Sequence, residues 1–509
     1  MPRTRVLHAP LIALISVTIA VLTSGAQRRQ MDPRTGSSKQ TMHQWMLAAG
    51  RTGAQSEVFA GIQSAGASAL TPAAVDASGI FLEGRLFNSG GNGVSNLAAA
   101  DLNGDGKLDV VVANTCVSGS VCGAGGAGSV GVLMGNGDGT YQPAVIYYTY
   151  STEVWSVTIA DVNGDGKLDV LVGGTCSSGS CVTGTTISVL LGNGDGTLRQ
   201  GNSYPSPSGS VVLAVGDLSG DGKADIVSVG GSLGVTLGNG DGTFQPQVVY
   251  NSGGSYADYV VIADVNRDGK PDLVVSNQNV ALLSADGGVG VLLGNGDGTF
   301  QAAVSYDAGA MQSYSVAVAD LNGDHHPDIV VTTFYAANAY NNDYADGSVG
   351  VLLGNGDGSF QPVVNYYSGG GQTYGVAIAD LNGDGKPDLL VANASAGKGS
   401  GGNDNVLGVL IGNGDGTFQH ATSYATGAIG GFSVVVADMN GDGKADALMT
   451  EQYPNPGGPA AVGVMLGNGD GSFRAPVIYA SETYADNTIA AVDLNGDGKL
   501  DLVIGSPSA

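Results

Sequence analysis

Short apolar runs of five to eight residues recur along the chain, separated by stretches rich in Gly, Asn and Asp. Residues 374–424 illustrate the pattern with the runs YGVAIAD, DLLVAN, VLGVLIGN and TFQHATSY. The runs have the length and the Val, Ile and Tyr content of strands, and no 3.6-residue period lies between them. We therefore predict four strands in each repeat, here named A to D in chain order.

Two polar motifs connect these strands. A nine-residue acidic loop, DLNGDGKPD in this repeat, joins strands A and B, and the sequence GNGDG joins strands C and D. An Asn-Gly-Asp-Gly sequence between apolar runs is typical of a tight hairpin turn. The acidic loop occurs eight times at intervals of 47 to 60 residues, with the first residues Asp101, Asp161, Asp217, Asp264, Asp320, Asp380, Asp438 and Asp493.

Tandem four-stranded antiparallel repeats of this period predict an all-β chain folded as a β-propeller. The last repeat has only strands A and B, whereas the apolar segments SEVFAGIQ (56–63) and GIFLEGRLF (79–87) precede the first loop. These two segments can complete the last blade, which closes the ring and hides both sheet edges. We expect eight blades, and seven blades with one displaced repeat is the alternative.

The N-terminal region predicts export. Arginines and a mostly apolar run (11–22) precede small residues (24–26), so we expect a signal peptide at 1–26, a linker at 27–55 and the propeller at 56–509. The apolar run is shorter than the roughly 20 residues of a spanning helix. A retained membrane anchor is the alternative, and no membrane span is expected after signal removal. The expected location is secreted or at the cell surface.

The four cysteines lie at corresponding places in the first two repeats. In an oxidising compartment, the simplest arrangement is one disulfide in each loop, Cys116 with Cys122 and Cys176 with Cys181. Binding of a metal by all four thiolates is the alternative, and it requires the two loops to meet.

The acidic loop has the residues of a calcium site. Oxygen-bearing side chains occupy positions 1, 3, 5 and 9, and a backbone carbonyl is available at position 7, a set that suits Ca²⁺. An EF-hand is excluded because position 12 is never Glu. We expect about eight Ca²⁺ sites, with the ligands Asp101, Asn103, Asp105, Lys107 and Asp109; Asp161, Asn163, Asp165, Lys167 and Asp169; Asp217, Ser219, Asp221, Lys223 and Asp225; Asp264, Asn266, Asp268, Lys270 and Asp272; Asp320, Asn322, Asp324, His326 and Asp328; Asp380, Asn382, Asp384, Lys386 and Asp388; Asp438, Asn440, Asp442, Lys444 and Asp446; and Asp493, Asn495, Asp497, Lys499 and Asp501.

The fifth loop, DLNGDHHPD, differs from the other seven at position 6. It has His325 where every other copy has Gly. Because that position normally needs a positive φ, which Gly adopts freely, we expect local strain and the weakest calcium site in this loop. Binding of a transition metal by His325 and His326 is the alternative.

These loops resemble those of the FG-GAP and VCBS repeat family, whose calcium-binding blades also occur in integrin α-subunit propellers. The resemblance covers residues 79–509, with GNGDGTF in place of the literal Phe-Gly and Gly-Ala-Pro signature. It implies a propeller fold and bound calcium. The family includes adhesion subunits, lectins and the scaffolds of some polysaccharide lyases, so the resemblance leaves the activity open.

Composition and charge agree with this interpretation. Gly accounts for 86 of 509 residues without a collagen-like three-residue period, which indicates many tight turns. The formal net charge is −26, and the Asp residues at positions 1, 5 and 9 of the eight loops account for 24 negative charges. Most of the acidity is therefore placed where cations are expected. Nucleic acid is not expected as a partner, because no basic patch is present to bind phosphates.

The connections B to C and D to A vary between repeats and lie at the end of the blade opposite the acidic loops. Variable loops on a rigid scaffold are where recognition usually occurs, and Tyr and Trp offer an apolar face with a polar edge. The candidate ligand-face residues are Tyr148, Tyr150, Trp155, Tyr335, Tyr340 and Tyr344. The alternative is that several of them pack between blades.

The sequence thus predicts a secreted, calcium-stabilised propeller that binds a glycan or protein surface. A polysaccharide lyase or hydrolase on the same scaffold is the alternative, and a purely structural surface module is a third possibility. Catalytic residues, the oligomeric state and the ligand cannot be assigned, since no nucleophile elbow, zinc-ligand run or Ser/His/Asp grouping is recognisable.

Overall fold

The computed structural model describes residues 57–61, 81, 84–117, 127–175, 185–206, 212–279, 286–335, 346–396, 406–427, 433–451, 461–480 and 488–506. Within these ranges every regular element is a β-strand. The predicted all-β class and the propeller arrangement of four-stranded blades are confirmed. The predicted signal peptide and linker lie outside the described residues.

We number the repeats as units 1 to 8 by their acidic loops. The strands that precede the first loop's unit are β1 (Glu57–Gly61) and β2 (Gly84–Asn88). The strands of units 1 to 3 are β3 (Gly91–Ala100), β4 (Asp109–Val117), β5 (Ser129–Leu133), β6 (Val145–Tyr148), β7 (Glu153–Ala160), β8 (Asp169–Thr175), β9 (Thr185–Gly192), β10 (Leu198–Pro205), β11 (Val212–Gly216), β12 (Asp225–Val229), β13 (Leu233–Thr236) and β14 (Val248–Tyr250).

Units 4 and 5 comprise β15 (Ser255–Ala263), β16 (Asp272–Asn279), β17 (Asp286–Leu292), β18 (Val304–Ala319), β19 (Asp328–Tyr335), β20 (Ser348–Leu352) and β21 (Val364–Tyr367). The later units comprise β22 (Gly371–Ala379), β23 (Asp388–Ser395), β24 (Val406–Leu410), β25 (Thr422–Ala425), β26 (Val434–Ala437), β27 (Asp446–Glu451), β28 (Ala461–Met465), β29 (Val477–Ala480), β30 (Thr488–Val492) and β31 (Asp501–Ser506).

Among the described strands, five sheets are four-stranded blades whose strands are consecutive in the chain, those of units 1, 2, 3, 6 and 7. A sixth four-stranded sheet has the order β2-β1-β31-β30 and so combines strands from both ends of the chain. In it β1 pairs with β2 on one side and with β31 on the other. The N-terminal strands therefore hydrogen-bond to the strands of unit 8.

Units 4 and 5 depart from the expected four-stranded organisation because they share one seven-stranded sheet. The 16-residue strand β18 pairs with β17 through its first part and with β19 through its last part. Met311, near the middle of β18, faces both Asp286 and Tyr335. The connection between these two units stays hydrogen-bonded to β17 and β19, so no break separates strand D of unit 4 from strand A of unit 5.

The apolar cores lie between consecutive units. One cluster combines Leu171 and Ile187 of unit 2 with Leu213 and Ile226 of unit 3, all of them buried. A cluster of the same kind joins Val94 and other residues of unit 1 to residues of unit 8. Full burial of one such side chain contributes roughly 1.5–3 kcal/mol. Each blade is thus stabilised mainly by its neighbours.

A tyrosine on the outer strand of one unit packs edge-on against an aromatic residue that follows the GNGDG turn of the next unit. The pair Tyr204–Phe244 is typical, with ring centroids 5.3 Å apart and the Phe244 amide donating to the Tyr204 hydroxyl at 3.0 Å. Four further pairs have the same order, Tyr250–Phe300, Tyr306–Phe360, Tyr366–Phe418 and Tyr424–Phe473. Between β2 and unit 1 the two residue types are exchanged, as Phe87 and Tyr141.

Candidate functional site

Backbone amides donating to side-chain oxygens hold each acidic loop in place. In unit 6, Asp380 accepts amide hydrogens from Gly383, Asp384 and Gly385 at 2.8, 3.1 and 2.8 Å. The Asn382 side chain accepts from the Asp384 amide at 2.8 Å. Asn and Asp commonly stabilise turns in this way. The predicted ligands at positions 1, 3 and 5 therefore also define the conformation of the loop.

The loops need left-handed backbone at positions 4 and 6, and glycine supplies it in most units. In unit 5 position 6 is His325, with φ of 66°, so the expected positive φ at this residue is confirmed. In unit 4 position 4 is Arg267, with φ of 61°. Sequence analysis missed this second exception, although the other seven loops have Gly at that position.

Position 9 has a structural role that the sequence did not reveal. Asp388 is fully buried; one carboxylate oxygen accepts from the Leu381 amide at 2.9 Å, and the other accepts from the Gly412 amide at 2.7 Å. Gly412 is the first residue of the GNGDG turn, so this carboxylate connects the two repeated motifs. The same two contacts occur in all of units 1 to 7.

Burial raises the pKa of each position-9 carboxyl, and the neighbouring carboxylates at positions 1 and 5 raise it further in most loops. Asp501 of unit 8 is an extreme case, because burial and its neighbours raise its pKa to about 6. Its amide partners among the described residues are in the loop itself, at Leu494 and Asn495. No GNGDG sequence precedes unit 1 to provide the second connection.

The aspartate of the GNGDG turn is used within the hairpin. Asp138 accepts from the Thr140 amide at 3.0 Å and from the Thr140 hydroxyl at 2.6 Å, and these bonds lower its pKa. The equivalent residues of the other six turns are bound in the same way. These carboxylates serve the turn geometry.

The donor set of the acidic loops fits a hard cation, although the side chains are arranged as hydrogen-bonded turns. Within the described ranges, no group of three Asp, Glu, His or Cys side chains converges as a metal site. The position-7 lysine instead lies near the position-5 carboxylate in units 1, 2, 3, 4 and 6, at 2.8–3.8 Å. A carboxylate oxygen that accepts one amide hydrogen keeps a lone pair for a cation. Repulsion from the carboxylates at positions 1 and 5 adds to the effect of burial on the position-9 pKa, and a cation would relieve this repulsion.

Cys116 is buried and forms a disulfide. Its predicted partner Cys122, and the predicted pair Cys176 and Cys181, lie outside the described residues. The pairing within each loop stays a prediction.

Three of the six candidate ligand-face residues have side chains that the structure describes. Tyr148 and Tyr150 are 58% and 47% exposed, whereas Trp155 is only 8% exposed and its indole donates to Thr175 Oγ1 at 3.1 Å. Tyr335 is the last residue of β19, and its side chain lies outside the description, as do Tyr340 and Tyr344.

Phe334, at the end of the same strand, packs against Tyr314 and Tyr374 with ring centroids 5.3–5.5 Å apart. A further polar pair at this end of the blades was missed by sequence analysis. The Gln278 amide donates to Asp258 at 2.8 Å, and burial raises the pKa of Asp258 to about 7. The sequence does hold a signal for Asp258, because the residue six positions before each acidic loop changes its type from unit to unit.

The part of the chain that the structure describes has no helix with the length and hydropathy needed to cross a bilayer.

Comparison with known proteins places these repeats in a family. A family model described as FG-GAP-like repeat matches residues 120–172, 217–275, 277–331, 334–391, 396–449 and 455–504, more than half of the chain. A second model, FG-GAP repeat, matches residues 93–133 and 313–352.

Two curated proteins are similar over part of the chain. Integrin alpha-IIb of Mus musculus is 28% identical over 217 residues, 39% of this chain and 20% of that protein. Phosphatidylinositol-glycan-specific phospholipase D of Bos taurus is 27% identical over 205 residues, 38% of this chain and 20% of that protein. The chain thus spans about a fifth of the length of these relatives.

A solved structure, the V. cholerae biofilm matrix protein Bap1, aligns with a TM-score of 0.46 and 14% identity, covering 82% of this chain and 88% of that one. The family assignment rests on the repeat matches, which agree with the loops and blades described above. The chain belongs to the FG-GAP repeat family.

Proposed function

We propose that the chain is an extracellular, calcium-stabilised propeller that acts as an adhesion or binding module for a glycan or protein surface. One observation carries this proposal. The acidic loops repeat almost unchanged at one end of the blades, whereas residues at the other end differ from unit to unit. A constant end serves the scaffold, and a variable end serves recognition. The similarity to integrin alpha-IIb supports a binding role over the matched segment.

In this proposal the ring has eight blades. Units 4 and 5 each have four strands when β18 is counted in both, and β1 and β2 complete unit 8. The contact of Phe87 with Tyr141 and the apolar cluster shared by units 1 and 8 support closure. An electron-microscopy map viewed along the ring axis tests this count. Seven blades, or an open arc, contradicts it.

Calcium is proposed at the loops through the residues predicted above, with the ion offsetting the charge of three carboxylates in each loop. By mass action, each bound ion raises the free energy of unfolding. The increase grows with the logarithm of the ratio of free calcium concentration to the dissociation constant. Export would remove residues 1–26, which N-terminal sequencing of the secreted protein tests directly. A mature chain that starts near Arg3 contradicts the signal-peptide proposal.

The binding role is tested with labelled protein on immobilised polysaccharides and extracellular matrix proteins, in calcium and after metal removal. We expect saturable binding that is lost on metal removal. If the protein binds neither the polysaccharides nor the matrix proteins, the proposal is wrong.

The enzyme alternative has one observation in its favour, the near-neutral pKa of Asp258. A glycosidase uses a pair of carboxyl groups, whereas the group bonded to Asp258 is the amide of Gln278. Binding is therefore the function that the geometry supports best.

A further inference from the structure

The first strand of a unit contains a β-bulge near its start. The strand pairing skips a residue between Val94 and Asn96, Val154 and Ser156, Ala257 and Tyr259, and Thr373 and Gly375, and it skips two between Ser313 and Val316. In each described case the skipped residue lies six positions before the first Asp of the acidic loop. We call these residues the bulge positions: Ser95, Trp155, Asp258, Tyr314 and Tyr374.

The residues at the bulge positions differ in every unit except the neighbours 5 and 6, although the acidic loops that follow are nearly identical. In units 2, 4 and 5 the residue at the bulge position contacts the residue of the second strand that lies six positions after the last Asp of the loop. Trp155 bonds to Thr175, Asp258 bonds to Gln278, and Tyr314 stacks on Phe334. Bulges often re-aim a side chain beside a functional site.

Backbone strain occurs beside the bulge in three successive units. Two positions before it, Tyr256, Gln312 and Gln372 have φ of 57°, 58° and 57°, whereas unit 1 has Gly93 there. Non-glycine residues seldom adopt this conformation, and such outliers cluster at functional sites. The repetition singles out units 4, 5 and 6.

The strand that carries Gln278 is hydrogen-bonded to the aromatic bulge residue of unit 5. The Ser276 hydroxyl donates to the Tyr314 carbonyl at 2.7 Å, and Gln278 lies two residues further along the same strand, on the same face. The Tyr314 ring then contacts that of Tyr374 at 5.4 Å. Tyr256, beside Asp258, is 46% exposed.

The charges near the bulge positions of units 4 to 6 distinguish neutral from anionic sugars as ligands. All described Lys and Arg residues lie in the acidic loops, in the strand-D segments or just after a GNGDG turn, and Lys398 lies outside the described residues. An anionic sugar would therefore meet a carboxyl group without a described cation to pair with it. Hydroxyl groups suit a carboxyl and an amide, and aromatic rings suit the apolar face of a sugar.

We propose that the bulge positions of units 4 to 6 bind a neutral saccharide. The Asp258 carboxyl and the Gln278 amide hold sugar hydroxyls, Tyr256 and Tyr374 pack against the sugar rings, and the buried Tyr314 ring holds that of Tyr374 in position. This inference rests on the proposed binding function and names its ligand class.

Calorimetric titration of the calcium-loaded protein tests the proposal with glucose-, mannose- and galactose-based neutral oligosaccharides and with oligouronates. We expect at least one neutral series to bind more tightly than the oligouronates. Asp258→Ala and Tyr256→Ala should each weaken binding at least tenfold. The matched control is Tyr367→Ala, which removes an exposed tyrosine from the outer strand of unit 5 and should leave affinity within twofold.

Asp258→Asn keeps the size of the side chain and guards against misfolding of the alanine variant. We expect it to weaken binding at least threefold with an unchanged melting curve. Preference for oligouronates, or wild-type affinity in both Asp258 variants, overturns the saccharide site while leaving protein or glycan binding elsewhere intact. Failure of the wild-type protein to bind any polysaccharide or matrix protein overturns the proposed function itself, and this inference with it.

Discussion

Single residues decide how much strain an acidic loop carries. His325 and Arg267 adopt left-handed backbone at loop positions that are Gly in the other units. A side chain there costs roughly 1–2 kcal/mol, because Cβ approaches the following carbonyl oxygen. The imidazole of His325 also lies 3.5 Å from Asp320, a predicted calcium ligand. Units 4 and 5 therefore have the least relaxed loops.

We expect His325→Gly to stabilise the metal-free protein by about 1 kcal/mol and to tighten calcium binding in unit 5. Chemical denaturation measures the first effect, and calorimetric calcium titration measures the second. The reciprocal variant Gly385→His in unit 6, where φ is 79°, should lower both quantities. Equal or weaker calcium binding by His325→Gly contradicts the strain argument.

Of His325 and Arg267, only the strain at His325 was predicted from the sequence. The strain at His325 was predictable because seven loops defined what position 6 requires. Arg267 was predictable on the same grounds and was overlooked. Tyr256, Gln312 and Gln372 could not be found in this way, because positive φ inside a strand depends on a bulge whose register is set by pairing with the next strand.

At the scale of elements, one carboxylate joins the acidic loop to the hairpin turn. Asp388 receives amides from Leu381 and Gly412, and it is fully buried. Replacing this carboxylate by an amide should destabilise the fold. The NH2 group of the amide would face the backbone N–H of Leu381 or Gly412, and two donors cannot form a hydrogen bond. This role is separate from any role in binding calcium.

We expect Asp388→Asn to destabilise the protein by about 1–3 kcal/mol even without calcium. The matched variant Asp384→Asn changes an exposed position of the same loop and should be nearly neutral without calcium, yet reduce calcium-dependent stabilisation. Thermal denaturation of both variants, with metal removed and with calcium added, provides the comparison. Equal effects in the metal-free state contradict a separate structural role for position 9.

The contact between β2 and unit 1 is the exception among the aromatic contacts between units. Tyr141 occupies the place of Phe244 and its equivalents, and its buried hydroxyl has no hydrogen-bond partner among the residues that the structure describes. Burial raises the pKa of this hydroxyl, and the nearby carboxylates of Asp501 and Asp109 raise it further. A buried polar group without a partner typically costs about 1–3 kcal/mol.

We therefore expect Tyr141→Phe to stabilise the protein by about 1 kcal/mol or more. Tyr204→Phe is the control, because it removes a hydroxyl that accepts the Phe244 amide and should destabilise by about 1 kcal/mol. Urea denaturation midpoints measure both changes. If the two variants shift the midpoint in the same direction, the hydrogen bonding of the tyrosine hydroxyls does not explain the stability of these contacts.

The strand pattern of a unit was predictable, because runs of buried residues end at Asp-rich and Gly-rich motifs. Strands A to D of unit 6 appear as β22 to β25, close to the predicted segments. The shared strand β18 was not predictable, since continuity across residues 308–312 depends on pairing with β17 and β19 rather than on composition. The candidate ligand face was the least predictable part, because exposure of a tyrosine depends on the neighbouring unit.

At the scale of the whole molecule, the repeated loops concentrate negative charge at one end of the blades. The position-9 carboxyls of all eight units have raised pKa values, reaching about 6 at Asp501. A folded-state pKa above the ordinary value of 3.8 means that the folded protein binds more protons than the unfolded chain. Stability then falls as pH rises between these two values. For Asp501 this pH range extends up to about 6.

We therefore expect opposite pH dependences with and without calcium. Metal-free protein, prepared by passage over a chelating resin, should melt at a higher temperature at pH 5 than at pH 7. Calcium-loaded protein should melt at a lower temperature at pH 5, because protons compete with the cation for the same carboxylates. The turn carboxylates do not oppose this trend, since their pKa values are lowered and act only below about 3.8. Scanning calorimetry of the metal-free and the calcium-loaded protein, each at pH 5 and pH 7, measures these melting temperatures. In the Asp501→Asn variant, the pH dependence of the metal-free protein should be smaller. Parallel pH profiles in the two metal states would show that the loop carboxylates are not where calcium acts.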